Sequence, residues 1–187
     1  MAGSTSNRLI QPRGGSQRRG QAPDMRQPSL RKIMKKIRLS KDIYLQNNQP
    51  CLITICAYRR KHLFENKLFS DYCAGLFIEL CKKHDFKIYV YCFMPEHVHF
   101  VISVQGNKSI IDLIMIFKSI STRQSRLYGF KDKIFQARFY DHFIREEEGL
   151  NQAIDYLLNN PVRKNIVSEW REYPYSKCFV GIDDLYS

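Results

Sequence analysis

The chain has 187 residues, 44% of them hydrophobic and 26% charged, and its formal net charge at pH 7 is +12. This length and composition are typical of one globular domain with a substantial core, and no window approaches the ~18 apolar residues that a membrane span needs. The N-terminus is basic, but it lacks the apolar core of a signal peptide.

The basic excess lies mostly in the first 40 residues, which hold ten Lys and Arg against one acid, a net charge of +9, whereas residues 41–187 hold twenty against seventeen, a net charge of +3. Residues 1–30 are rich in Gly, Ser, Gln, Pro and Arg, so we predict a disordered basic extension over residues 1–40 and a single folded domain over residues 41–187. The extension is either an electrostatic arm for nucleic acid or a solvated segment upstream of a truer start at Met25 or Met34.

The folded part opens with a strand, a helix and a hairpin. The β-branched, apolar run Cys51–Tyr58 predicts a strand, and the basic residues 59–62 predict a turn. Apolar residues at helical spacing predict a helix over Phe69–Lys83. Phe86–Met94 and His97–Val104 predict two strands, and their two-residue link indicates an antiparallel hairpin.

The second half repeats the alternation of helix and strand. Ser109 can cap a helix that runs from Ile110 to about Leu127, and Phe139–Arg145 predicts a short strand. Acids at 146–148 favour a helix start there, and that helix should stop at about Asn159, before Pro161. The order βαββαβα predicts an α+β fold, a ferredoxin-like sandwich with a central antiparallel β-sheet and packed helices.

The six cysteines include no Cys-x-x-Cys pair, and most lie in apolar runs where free cysteine behaves as a small buried hydrophobe. We therefore expect reduced cysteines, no structural zinc site, and a cytoplasmic protein that is nucleoid-associated when bound to DNA. The six are Cys51, Cys56, Cys73, Cys81, Cys92 and Cys178.

Two histidines carry the chemical signal. His97 and His99 are two residues apart in a predicted strand, so both project from one face, about 7 Å apart along the backbone, as two ligands of one divalent metal would. Glu96 should point to the opposite side and act as a turn residue. A His-x-His pair in a strand is by itself more often ordinary structure than a metal site.

A tyrosine and an amide complete the pattern. Tyr156 and Asn160 are four residues apart on a predicted helix, so a hydroxyl nucleophile and a neutral oxygen ligand share one helical face. If that helix packs over the two histidines, the parts of a phosphoryl-transfer site come together. A lone helical tyrosine is usually a packing residue, and Asn-Pro is a common helix stop, so only the combination is informative.

These motifs resemble those of the REP-associated tyrosine transposases, a branch of the single-tyrosine HUH transposases. The resemblance rests on Met-Pro-Glu-His-Val-His-Phe (94–100), Phe-Gln-Ala-Arg-Phe-Tyr-Asp-His-Phe-Ile-Arg (135–145), Asp-Tyr-Leu-Leu-Asn-Asn-Pro-Val-Arg-Lys-Asn (155–165), and Trp170 with Tyr-Pro-Tyr-Ser (173–176), and it covers roughly residues 45–178. Many relatives have Gly where this chain has Asn165, and Asn also tolerates a left-handed turn.

The resemblance implies an enzyme that cleaves and rejoins single-stranded DNA at hairpin-forming palindromic repeats. Tyr156 would be the catalytic nucleophile that forms a 5′-phosphotyrosine, and His97, His99 and Asn160 would hold Mg²⁺ or Mn²⁺. Imidazole ligands favour tighter binding of Mn²⁺. The protein would act as a monomer or a homodimer.

Basic and aromatic residues around these motifs are candidates for DNA contact, although solvated helix faces and core packing explain such residues equally well. Tyr140 and His142 could stack on or orient the scissile nucleotide, and His142 could instead assist proton transfer. The candidates are Lys118, Thr122, Arg123, Arg126, Arg138, Tyr140, His142, Arg145, Arg163 and Lys164.

Two other functions fit the same sequence. One is a regulator that binds hairpin DNA and no longer cleaves it. The other is a site-specific nickase that cleaves and never rejoins the ends. Intact candidate ligands and an intact tyrosine favour the enzyme over the regulator.

Overall fold

The computed structural model describes Tyr44, residues 48–145 and residues 149–181. The predicted basic extension at residues 1–40 and the acidic run at 146–148 lie outside these described residues. The strands are β1 (Cys51–Cys56), β2 (Phe86–Met94), β3 (His97–Val104), β4 (Tyr140–Phe143) and β5 (Ser176–Cys178), and the α-helices are α1 (Lys67–Lys83), α2 (Ile110–Gln124), α3 (Leu150–Leu158) and α4 (Asn160–Arg163).

The five strands form one sheet in the order β4-β1-β3-β2-β5, and every neighbouring pair is antiparallel. The first four strands are arranged as two split βαβ units, which is the ferredoxin-like order. The predicted α+β sandwich is therefore confirmed. β5 was not predicted, because three residues are too few to show a hydrophobic alternation.

Most predicted elements begin or end where local signals placed them. β2 and β3 match their predicted bounds, and the Ser109 side chain accepts a hydrogen bond from the Asp112 N–H (3.2 Å) at the start of α2. β1 ends two residues early because the chain enters a 3₁₀ turn at Tyr58–Arg60. α2 ends at Gln124, where a 3₁₀ turn, Ser125–Tyr128, follows.

The helices cover the two faces of the sheet. α1 and α2 pack on one face and enclose the main core, in which Phe77, Phe100 and Phe117 are fully buried. α3 packs on the other face, where Ile154 and Leu157 contact a smaller apolar cluster. Within the described part of the chain, no helix is both long and apolar enough to cross a membrane.

We expect Phe100→Ala to lower the free energy of unfolding by about 3–5 kcal/mol, because it empties the centre of the main core. The Phe100 ring stacks on Phe77 with centroids 3.6 Å apart and meets Phe93 and Phe117 edge-on. Urea denaturation should show a lower midpoint at an unchanged slope. Phe179→Ala is the control, since Phe179 is 39% exposed; equal losses for the two variants would contradict this packing.

The end of α3 sets the path toward the C-terminus. α3 stops at Leu158, as the helix was predicted to stop before Pro161, but a further helical turn, α4, follows with Pro161 in its first turn. Proline is tolerated there because its missing N–H would have no partner in the helix. Asn165 then adopts a φ of +54°, which confirms the predicted left-handed turn.

Candidate active site

A row of paired residues runs across one face of the sheet. His99 on β3 lies opposite Thr54 on β1, and Thr54 lies opposite Tyr140 on β4. Directly opposed residues of antiparallel strands point to the same side, and His97 shares that side because it is two residues from His99. One face of the sheet therefore presents both histidines, a hydroxyl and an aromatic ring.

Helix α3 packs on this same face. Val101 lies two residues beyond His99, and it belongs to the apolar cluster that contains Ile154 and Leu157 of α3. Tyr156 also packs against this cluster and is partly buried. The tyrosine helix and the two histidines therefore occupy one face of the sheet, as the proposed site requires.

The two imidazole rings converge through their outer nitrogens. His97 Nε2 and His99 Nε2 are 2.9 Å apart, with the rings nearly perpendicular at 82°. Two nitrogens that each lie about 2.1 Å from one octahedral metal ion, with an angle of about 90° at the metal, lie about 3 Å apart. The contact is a hydrogen bond between the two imidazoles, and its length also matches the separation of adjacent ligands of one divalent metal.

Each imidazole also has a polar contact behind it. Thr54 Oγ1 lies 2.8 Å from His99 Nδ1, and the Glu96 carboxylate oxygen Oε1 lies 3.2 Å from His97 Nδ1 but is not aligned as a hydrogen bond. When the Nδ1 of a neutral imidazole carries the proton, the Nε2 of the same ring keeps a lone pair that can bind a metal. Glu96 does lie in the turn, but the expectation that it points away from His97 was wrong.

Both histidines are held in the neutral form. Burial lowers the pKa of His99 well below its ordinary value, and the positive charges of Arg163 and Arg60 act in the same direction. Burial also lowers the pKa of His97, whereas the Glu96 carboxylate opposes that shift. Neutral imidazoles carry the free lone pairs that metal ligands require.

An arginine of α4 contacts both the ring and the backbone of the tyrosine. The Arg163 guanidinium lies 3.8 Å from the centre of the Tyr156 ring, and its Nη1 donates a hydrogen bond to the Tyr156 carbonyl oxygen (2.9 Å). That carbonyl is in the last turn of α3, where helical acceptors lack partners within the helix. The Tyr156 hydroxyl makes no hydrogen bond to another described residue.

The same arginine contacts Asn160. Arg163 Nη2 donates to Asn160 Oδ1 (3.0 Å), and Asn160 is 7% exposed. One lone pair of Oδ1 remains, so Asn160 as a metal ligand stays a prediction. Among the described residues, no group of three or more His, Cys, Asp or Glu side chains could hold a metal. The two imidazoles could supply two ligands of a divalent ion, and its remaining ligands would then have to be oxygen atoms.

Comparison with known families decides the assignment. Residues 44–142, more than half of the chain, match the model of a family described as IS200-like transposases. This chain is an IS200-like transposase. The match includes both histidines but ends before α3, so Tyr156 and Asn160 lie outside it.

Two curated relatives of this transposase carry more specific names. It is 28% identical over 109 residues to a protein of Haemophilus influenzae assigned as a REP-associated tyrosine transposase, a match covering 52% of this chain and 62% of the relative. It is 26% identical over 99 residues to the REP-associated tyrosine transposase of Escherichia coli, covering 53% and 58%. The matched segment thus spans about three fifths of each relative.

A solved structure shows the same fold. A REP-associated tyrosine transposase bound to a REP hairpin superimposes with a TM-score of 0.60 at 21% identity, over 76% of this chain and 82% of that one. The likeness confirms the α+β architecture of this IS200-like transposase.

Some of the predicted DNA contacts lie on the histidine face of the transposase. Tyr140 is in the row described above and is 43% exposed, and His142 lies two residues farther along β4. The positive charge of Arg163 lowers the pKa of His99, and that of the exposed Lys164 lowers the pKa of His97. Their contacts with DNA stay predictions.

Other candidates lie elsewhere on the transposase. Thr122 and Arg123 are on α2, and Arg126 is in the 3₁₀ turn that follows it. All three lie in the opposite layer, where they line an open groove of about 480 Å³ with Lys131 and Lys133. These two lysines were not predicted, because the chain segment that holds them has no regular pattern. The remaining candidates, Arg138 and Arg145, are exposed on either side of β4.

Lys118 has a structural partner instead. Its ammonium donates hydrogen bonds to the carbonyl oxygens of Gln136 (2.6 Å) and Ala137 (3.0 Å), and it thereby holds the segment before β4 against α2. Burial lowers the pKa of Lys118, and the charge of Lys133 adds to that effect. With two of its three donors used, Lys118 can offer at most one to a phosphate.

Proposed function

We propose that this protein is a metal-dependent tyrosine transposase that cleaves and rejoins single-stranded DNA at hairpin-forming repetitive palindromes. The single observation that carries the proposal is the convergence of His97 Nε2 and His99 Nε2, 2.9 Å apart, on the face of the sheet where α3 presents Tyr156. The names of the curated relatives, and the REP hairpin bound to the solved neighbour, support this choice of substrate.

Tyr156 acts as the nucleophile in this proposal. Its phenolic oxygen attacks phosphorus, a new O–P bond forms as the bond from phosphorus to the 3′ oxygen breaks, and the 3′ oxygen leaves as a hydroxyl. The phenolic proton passes to water or to a base, because a phenol, with an ordinary pKa of about 10, is mostly protonated at neutral pH. The product is a 5′-phosphotyrosine.

Arg163 holds the nucleophile in place. Its contacts with the Tyr156 ring and carbonyl and with Asn160 join α3 to α4 and hold the tyrosine close to the amide. Its positive charge, close to His99, also favours the approach of a phosphate. Positioning of this kind is a large part of catalysis in phosphoryl transfer.

The chain's own residues would hold the metal through two nitrogens and one oxygen. His97 and His99 would bind through Nε2, and Asn160 would contribute Oδ1. Bound Mg²⁺ or Mn²⁺ would supply Lewis-acid polarisation of the phosphate oxygens. Thr54 and Glu96, behind the imidazoles, would keep both rings oriented.

The reaction is reversible because a phenolate is a competent leaving group. Attack by a 3′ hydroxyl on the phosphotyrosine re-forms a phosphodiester and releases Tyr156. This property favours strand transfer over simple hydrolysis, in which water would end the cycle. It also separates the proposed transposase from a nickase.

A covalent adduct is the decisive test. Protein is incubated with a hairpin oligonucleotide and Mn²⁺ and separated on a denaturing gel, where the proposal predicts a DNA-linked band. Adding a second oligonucleotide with a free 3′ end should convert the adduct into a joined product. Hairpin binding with no adduct would indicate the non-cleaving regulator, and an adduct that never transfers would indicate the nickase.

A further inference from the structure

The loop after β1 wraps around the turn that leads into His97. The Ala57 N–H donates to the carbonyl oxygen of Glu96 (2.9 Å), and the Phe64 N–H donates to that of Pro95 (3.0 Å). Cys56, the last residue of β1, lies directly opposite His97. The residues between Ala57 and Phe64 therefore project from the sheet at the histidine end.

Two arginines in this loop have an unusual backbone. Arg59 and Arg60 have φ angles of +54° and +55°, a left-handed conformation that residues with a Cβ rarely adopt. Hydrogen bonds hold it, from the Arg60 N–H to the Ala57 oxygen (3.1 Å) and from the Tyr58 N–H to the Ile134 oxygen (2.7 Å). Strained residues fixed in this way cluster at functional sites.

The two arginines use their side chains differently. The Arg59 guanidinium lies 5.4 Å from the centre of the Tyr58 ring. The Arg60 side chain is exposed and makes no hydrogen bond, ion pair or ring contact with another described residue. Its charge nevertheless acts on Cys56, His97 and His99. Because Cys56 lies opposite His97 and the Ala57 N–H bonds to the Glu96 carbonyl oxygen, the loop places this unpaired guanidinium at the histidine end of the sheet.

We propose that Arg60 binds the scissile phosphate at this site, from the end of the sheet where β1 meets the turn before β3. The inference rests on the proposed function, and it assigns a role to the basic turn at residues 59–62. A guanidinium presents two parallel N–H donors that match two phosphate oxygens. Arg60 would approach from the β1 loop, and Arg163 already lies on the tyrosine.

Arg60→Gln, with Arg59→Gln as the matched control, tests this role. Both replacements remove one charge from neighbouring residues with the same backbone conformation. In a Tyr156→Phe background, binding is measured to an oligonucleotide with a normal phosphate at the mapped cleavage position and to one with an uncharged methylphosphonate there. We expect Arg60→Gln to weaken binding of the normal oligonucleotide about tenfold. Its affinity for the methylphosphonate oligonucleotide should change little.

Cleavage gives a second readout. With Tyr156 intact, adduct formation at saturating oligonucleotide should be about 10- to 100-fold slower for Arg60→Gln and close to wild type for Arg59→Gln. Arg60→Gly separates this effect from misfolding, because glycine adopts a positive φ freely. It should melt at or above the wild-type temperature and still cleave slowly.

Each failure has its own signature. Equal losses of affinity for both oligonucleotides, or wild-type cleavage by Arg60→Gln, would overturn the role of Arg60. If the wild-type protein forms no adduct at all, the proposed function fails before Arg60 is tested in cleavage. An adduct formed at the wild-type rate by Arg60→Gln leaves the proposed function intact and removes only this inference.

Discussion

Tyr156→Phe is expected to abolish the covalent adduct between protein and DNA, a loss of at least about 10⁴-fold in cleavage rate. The replacement removes the single oxygen that would bond to phosphorus, and no neighbouring group can take its place at the same position. Hairpin binding should stay within about twofold of wild type, because ring and backbone are retained.

The variant is also a clean one structurally. The Tyr156 hydroxyl has no hydrogen-bond partner among the described residues, so its loss leaves no buried group unsatisfied. The ring keeps its contact with Arg163 and its packing in the α3 cluster. The free energy of unfolding, measured by thermal melting, should therefore stay within about 0.5 kcal/mol of wild type.

The measurement is an adduct assay on a denaturing gel with labelled oligonucleotide. Tyr72→Phe serves as the control, since Tyr72 lies on α1 in the opposite layer and packs against the main core. It should form the adduct at the wild-type rate. If Tyr156→Phe still forms the adduct, the nucleophile is another residue.

Replacing either His97 or His99 by alanine should have the second largest effect. We expect cleavage to fall by about 10³-fold or more, because a metal ion contributes several kcal/mol of charge stabilisation to phosphoryl transfer. Mn²⁺ affinity should fall together with cleavage, since one of the two converging Nε2 atoms is gone. Hairpin affinity measured without metal should change little.

Calorimetric titration with Mn²⁺ and the adduct assay measure the two effects independently. His84→Ala is the control, because His84 caps the C-terminal end of α1 and is not one of the two converging histidines. It should retain both metal binding and cleavage. Wild-type Mn²⁺ affinity in His99→Ala would show that the facing imidazoles are a structural pair and would remove the metal from the proposed mechanism.

Local signals predicted much of the fold because they act within one element. The apolar and aromatic content of β2 and β3 and the Ser109 cap of α2 depend on neighbours in the chain, and the structure confirms each. Asn165 takes its left-handed turn for the same local reason. β5 was missed because its three residues are defined by pairing with β2, which no local pattern reveals.

The candidate site divides in the same way. The spacing of His97 and His99 determined that both side chains share a face, and the residues from Tyr156 to Pro161 determined that a tyrosine and an amide stand close to a helix end. The tertiary structure alone decided that Thr54 lies behind His99 and that Arg163 covers Tyr156 and bonds Asn160. It also decided that the loop holding Arg60 lies at the histidine end of the sheet. Strand register and helix docking set those contacts, and both depend on residues far apart in the chain.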